Sequence, residues 1–164
     1  MNFIKGGYII KNIIRESKNF AKSIIKFILR IIFNQFIKLI LNTKSGRHFF
    51  YSKYPKNQLL ISNTFEGINY IINSSDKVIG QEIFIEKCSF DSEKLVKALT
   101  IIGFNKSLIL DVGANIGSIG IFGISQGLFK KCIAFEPDPH NFMLLQANVL
   151  INGLKNNFEL VNIA

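Results

Sequence analysis

A chain of 164 residues that is 48% hydrophobic is long and apolar enough to bury one core of ordinary domain size. Its two cysteines, Cys88 and Cys132, stand far apart and outside any Cys-x-x-Cys or Cys/His cluster. That argues against a disulfide framework or a metal site and for a reducing, cytoplasmic setting. The net charge of +9 is uneven: residues 1–56 hold twelve Lys and Arg against the single acid Glu16, and residues 57–164 hold eight against ten acids. Such asymmetry marks a basic N-terminal extension, residues 1–56, joined to a near-neutral domain, residues 57–164.

Residues 8–42 read as helix. The stretch from Phe20 to Leu41 is rich in Ile, Leu and Phe but is interrupted by Lys22, Lys26, Arg30 and Lys38. Each such cation costs about 2.5–3.5 kcal/mol at the centre of a bilayer, so a spanning helix is disfavoured. No small-residue cleavage site follows, which disfavours a signal peptide. Bases at 18, 22, 26 and 30 recur every four residues and share one broad helical face. Like charges at that spacing repel, so the stripe makes most sense opposite something anionic. A basic amphipathic helix over 8–42, in peripheral contact with an anionic membrane, is one reading. The other is a helix that packs its apolar face on the rest of the protein. Nucleic acid is not an expected partner.

Residues 43–56 look like a turn-rich connection. Leu59–Thr64, Asn69–Asn73 and Ile83–Ile85 read as short strands of a small antiparallel unit, parted by Glu66-Gly67 and Ser74-Ser75-Asp76. Asp91 or Ser92 caps a helix that runs to about Ile102, with Leu95, Val96, Leu99 and Ile102 on one face and Gly103 as its stop. Asp91 is read as a cap rather than a site residue, and His48 and His140 as surface residues.

Ser107–Val112 is a short continuous apolar run, the pattern of a parallel strand buried on both faces. Gly113-Ala-Asn-Ile-Gly117 follows, then an apolar helix from Ser118 to about Gln126 that stops at Gly127. Lys131–Glu136 is a second apolar strand ending in an acid. Asp138 and Pro139 then supply the N-cap and first residue of a helix running to Ile151, and Asn157–Val161 is a third strand. Strand, glycine loop, helix, strand, helix, strand is the βαβαβ half of a doubly wound parallel sheet.

The loop's chemistry narrows the ligand. Gly113 permits a tight turn off the strand, and Gly117 leaves room for a ligand or helix backbone to come close. The N-terminus of the following helix offers N–H groups to polar ligand atoms. Glu136, at the end of the neighbouring strand, can accept hydrogen bonds from the hydroxyl pair of a ribose. A dinucleotide fingerprint wants Gly-x-Gly-x-x-Gly, and here Asn115 and Ser118 break it. Asp111, just before the first glycine, would repel a pyrophosphate but suits a cofactor carrying an ammonium and a sulfonium. S-adenosylmethionine is therefore favoured over NAD. A fragment of an NAD-dependent oxidoreductase and a non-catalytic, membrane-associated protein are the competing readings.

Leu110-Asp-Val-Gly-Ala-Asn-Ile-Gly117 and Ala134-Phe-Glu-Pro-Asp-Pro139, continuing through Asn141-Phe142 to Asn148 and Asn152-Gly153-Leu154, resemble the FkbM family of methyltransferases. A weaker likeness extends back through Asp76–Gly80 and Phe90-Asp91. The resemblance covers about residues 58–164 and leaves out the basic extension. It implies an α/β, Rossmann-like methyltransferase half-domain: three parallel strands with flanking helices, preceded by the small β unit. It implies methyl transfer from S-adenosylmethionine to a hydroxyl of a sugar or other small metabolite. Asp111, Gly113, Asn115 and Gly117 would line the methionine and ribose end, Glu136 would hold the ribose, and Phe135 and Pro137 would flank the adenosine. Four further strands, the acceptor pocket and any general base would follow Ala164, so residues 1–164 alone are expected to be inactive or very weak, and no catalytic base is assigned among them.

Overall fold

The computed structural model describes residues 3–104 and 106–163, and for residues 3–15, 17, 18 and 21 the backbone alone. The chain divides into two compact units, residues 1–46 and 47–164. The second unit begins inside a helix.

The first unit is dominated by α1 (Phe3–Leu41), a 39-residue helix that starts earlier than its apolar pattern does. No helix among the described residues is long and apolar enough to cross a membrane.

Residues 43–56, expected as a turn-rich connection, instead form helix α2 (Lys44–Lys53). Thr43 Oγ1 accepts the Gly46 N–H at 3.0 Å, an N-cap bond that starts the helix. Arg47 and Tyr51, four residues apart and so on one face, are then buried. Arg47 Nε donates to the Ile85 carbonyl at 2.5 Å. The Tyr51 hydroxyl lies 3.0 Å from the Asn73 carbonyl and 2.6 Å from that of Asp76. Burial first, and then the charge of Asp76, push that phenol up to about 12. The polar residues that read as a turn are thus the solvent side and anchors of a helix.

β1 (Leu59–Asn63) and β2 (Asn69–Asn73) form an antiparallel hairpin in the register Ile61↔Ile71. Gly67 takes φ +79° in its turn. Alternation sends Tyr70 and Ile72 into the core, both 0% exposed. Ile83–Ile85, expected as a third strand, belongs to helix α3 (Ile79–Glu86). The Asp76 carboxylate accepts the N–H groups of Val78 and Gly80, both at 2.8 Å, and so nucleates a helical turn where the β-branched run alone suggested a strand.

α4 (Ser92–Ile102) ends at Gly103, whose N–H returns to the Leu99 carbonyl. Asp91 holds the N-cap position, but its carboxylate makes no cap bond and pairs with Lys94 at 2.8 Å. Of the apolar face expected on this helix, Leu99 is buried, whereas Val96 and Ile102 are exposed.

The remaining elements are β3 (Lys106–Val112), α5 (Ser118–Ser125), β4 (Phe129–Phe135), α6 (Pro139–Ile151) and β5 (Phe158–Val161). The strands form one parallel sheet in the order β3-β4-β5. This is the Rossmann-like βαβαβ arrangement its pattern specifies. The first of these strands, patterned for burial on both faces, lies at the sheet edge: β3 pairs with β4 alone, and Leu108, Leu110 and Val112 on one face are exposed. α5 sits close against β4, since a Cβ on Gly120 would stand 2.8 Å from Cys132 Sγ. Asp138 caps α6 through the Asn141 N–H at 2.8 Å.

The hairpin is tied to α6 by two asparagines. Asn148 Oδ1 accepts the Ile71 N–H at 2.6 Å, and its Nδ2 donates to the Ile71 carbonyl at 3.2 Å. Asn152 does the same to Asn69, at 3.0 and 2.7 Å. Residues four apart on a helix are separated by about 6 Å, and residues two apart on a strand by about 6.8 Å. One helix face therefore satisfies the outer edge of β2 as a further strand would.

Candidate functional site

The site is the bend after β3 together with the end of β4. Gly113 takes φ +78° and Asn115 φ +51°, both in the left-handed region. The N–H groups of Gly113 and Ala114 both donate to the Phe135 carbonyl at 2.9 Å, which pins the bend to the last residue of β4. A Cβ on Gly113 would meet nothing within 4 Å, so the chain is open there. Gly117 differs. It takes φ +89°, and a Cβ on it would stand 2.6 Å from Leu145 Cδ1 and 2.9 Å from Ile121 Cδ1. The left-handed φ is what calls for glycine at 117, since the two atoms a Cβ would meet are the ends of flexible side chains.

Glu136 follows β4 and is 5% exposed. Its Oε2 accepts the Asn115 N–H at 2.7 Å, and its Oε1 accepts the Asp138 N–H at 3.0 Å. The acid and the bend, 21 residues apart, are thus in direct contact with no side chain between them. Each bond is charge-assisted, so the carboxylate is held firmly. A carboxylate has about four acceptor positions. Two are filled by these amides, which leaves room for two hydroxyl donors.

Asp111 has a different setting. Its Oδ2 accepts the Gly120 N–H at 3.1 Å, which places that oxygen at the first turn of α5. Burial holds this carboxyl above its ordinary value; the Gly120 bond opposes the shift and the charge of Glu136 adds to it. Below it, burial and then Asp111 push the Cys132 thiol up to about 12. The amides of 113 to 117 are each committed within the chain, since Ile116 N–H donates to Asn115 Oδ1 at 2.9 Å and Gly117 N–H to the Ala114 carbonyl at 2.8 Å. The bend itself, before α5 begins, therefore offers a ligand space and acceptors more than free N–H groups.

Phe135 is half-buried and Pro137 exposed, on either side of Glu136 in the chain. A cleft of about 550 Å³ adjoins the bend, with Asn115, Asp76, Asn73, His140 and Asn141 in its lining. Exposed His140, read as a surface residue, faces Asn73 at 3.3 Å within it. No group of three or more His, Cys, Asp or Glu among the described residues could hold a metal ion.

Two residues of this region had no role assigned to them from the sequence. Asn148 Nδ2 also donates to the Ile116 carbonyl at 3.0 Å, so one buried amide fixes both the hairpin and the bend. Asn162 Nδ2 donates to the Glu136 carbonyl at 2.6 Å and braces the end of β4. For Asn148 the available signal was a polar residue between the apolar positions Leu144, Leu145 and Val149. For Asn162 there was none.

No protein-family model matches the chain, and no curated protein matches it in sequence. Among solved structures it is similar to Pyrococcus horikoshii TYW2 in complex with MeSAdo, at 22% identity and a TM-score of 0.49 over 67% of this chain and 38% of that one. M. jannaschii TYW2 in complex with AdoMet gives 21%, 0.49, 67% and 45%. The M. jannaschii tRNA m1G37 methyltransferase gives 16%, 0.47, 66% and 29%. The chain thus spans less than half the length of each of these structures, and the likeness is too distant to assign it a substrate.

Proposed function

We propose that the bend after β3 binds S-adenosylmethionine and that the protein belongs to a methyltransferase of the FkbM type, acting on a hydroxyl of a sugar or other small metabolite. The observation that carries the reading is the Glu136 carboxylate bonded to the Asn115 amide at 2.7 Å. An acid at the end of one parallel strand, oriented by the glycine bend of the next, is the arrangement that grips a ribose by its hydroxyl pair. The residues present fit an adenosyl group in part. Gly113 leaves open space at the bend, and Glu136 retains acceptor capacity. Phe135 and Pro137 would flank the adenosine, and Asn115 would lie against the ribose end. Asp111, one oxygen of which is committed to Gly120, would meet the ammonium through the other. Gly117 would allow the turn at the methionine and ribose end.

When bound, the cofactor supplies an electrophilic methyl on a sulfonium, and a hydroxyl oxygen that takes it releases a proton. The chain's own part is to hold the adenosyl end still, since in-line transfer depends on position. The two motifs quoted above support the FkbM type.

Titration calorimetry of the chain with S-adenosylmethionine and, separately, with NAD tests the reading. Binding of the first without the second is expected. Binding of NAD alone would place the chain among the oxidoreductases, and binding of neither would remove the cofactor assignment.

A further inference from the structure

The long helix carries a surface that the cofactor site does not use. From Phe20 to Leu39, α1 exposes eleven large apolar side chains, Phe27, Phe33 and Leu39 each at more than 60%. At about 100° per residue, ten of these positions run from Phe27 through Phe20, Ile24, Ile28 and Ile32 to Leu29, an arc of about 200°, and Phe33 falls outside it, between Lys22 and Lys26. Lys22, Lys26 and Arg30, all exposed, occupy the remaining arc within about 80° of one another. Of the acids, Glu16 alone stands within residues 1–56.

Water is a poor solvent for such a helix. Its apolar arc gains nothing while exposed, and its cations repel at four-residue spacing. A cover must therefore supply apolar contact on one side and negative charge at the flanks. An anionic bilayer surface supplies both, because the apolar face sinks to the acyl boundary while the lysines and arginine stay among the phosphates. A second copy of the helix would supply only the first, and an arc of about 200° is broader than the seam two paired helices bury. Lys38, which falls inside the apolar arc, lies near the helix end, where a long side chain can extend its ammonium to the interface. The cations forbid the alternative of crossing the bilayer.

We infer that residues 16–41 are an interfacial membrane helix that seats this protein on anionic lipid. The inference is independent of the cofactor reading, since neither the bend nor Glu136 takes part in it.

Flotation of the full chain with phosphatidylcholine vesicles, with and without phosphatidylserine, provides the test. Binding should require phosphatidylserine and weaken as salt is raised. The triple change Lys22→Gln, Lys26→Gln and Arg30→Gln, all at exposed positions, should weaken it by about tenfold or more with helicity unchanged by circular dichroism. Phe20→Ser with Phe27→Ser should abolish it while leaving the charge in place. Equal flotation with both vesicle types would overturn the electrostatic half of the inference. Absence of flotation would overturn the whole, and a dimer in sedimentation velocity that both variants dissolve would then assign the face to a second copy of the chain.

Discussion

Replacing Glu136 with alanine is expected to weaken S-adenosylmethionine binding by at least about tenfold and to destabilise the fold at the same time. Both effects come from one carboxylate. A hydrogen bond to a charged group is worth about 1.5–3 kcal/mol, and two such bonds, to the Asn115 and Asp138 amides, are lost in the variant. A stability loss of about 3 kcal/mol should appear in urea denaturation. The bonds to a ribose are lost as well, and one of them alone accounts for about a tenfold change. The two roles separate if affinity is measured by calorimetry under conditions where the variant is fully folded. Unchanged affinity in a folded, less stable variant would make Glu136 a latch on the bend and nothing more. The Glu136→Gln variant should fall between the two, since its amide keeps one acceptor and turns a donor toward a backbone N–H.

The second large effect is expected from Asn148→Leu. The two side chains are similar in volume, so the change leaves little cavity. It strands the Ile71 N–H, the Ile71 carbonyl and the Ile116 carbonyl, at a position that is 0% exposed. Unpaired buried groups cost about 1–3 kcal/mol each, so a loss of about 3–5 kcal/mol is predicted in chemical denaturation. Asn152→Leu, at a half-buried position where water can replace the amide, should cost about 1 kcal/mol. Because Asn148 also braces Ile116, its loss should weaken cofactor binding without any contact to the ligand. A stability change under about 1 kcal/mol would show that the strand-like edge on α6 is incidental.

How much of this was written in the sequence depends on whether the deciding contact is local. β3, α5, β4, α6 and β5 were legible because their signals are short-range: continuous apolar runs for strands, Gly113 and Gly127 as punctuation, and Asp138-Pro139 as a helix start. The meeting of Glu136 with the bend was legible for a related reason, since parallel strands joined by one helix must end side by side. The two misread elements fell where side-chain hydrogen bonds outweighed local composition. Ile83–Ile85 has the composition of a strand, but Asp76 turns the chain into a helix before that run begins. The polar residues after Thr43 resemble a loop, yet Arg47 and Tyr51 are buried on one face of a helix there. The asparagine bridges joined residues 83 and 77 positions apart, and no periodicity within one segment reports a partner in another. The site showed the same division. That Asp111 is drawn to Gly120 is a fact about the neighbouring helix rather than about the motif itself.

The account turns on an adenosyl group lying over Gly113 with its ribose against Glu136. A crystal structure of the chain with S-adenosylhomocysteine measures that contact directly. Both ribose hydroxyls should lie within about 3.2 Å of the Glu136 oxygens, with the Asn115 and Asp138 amide bonds still in place. A nucleoside found elsewhere on the protein, or at the bend with its ribose turned away from Glu136, would contradict the account.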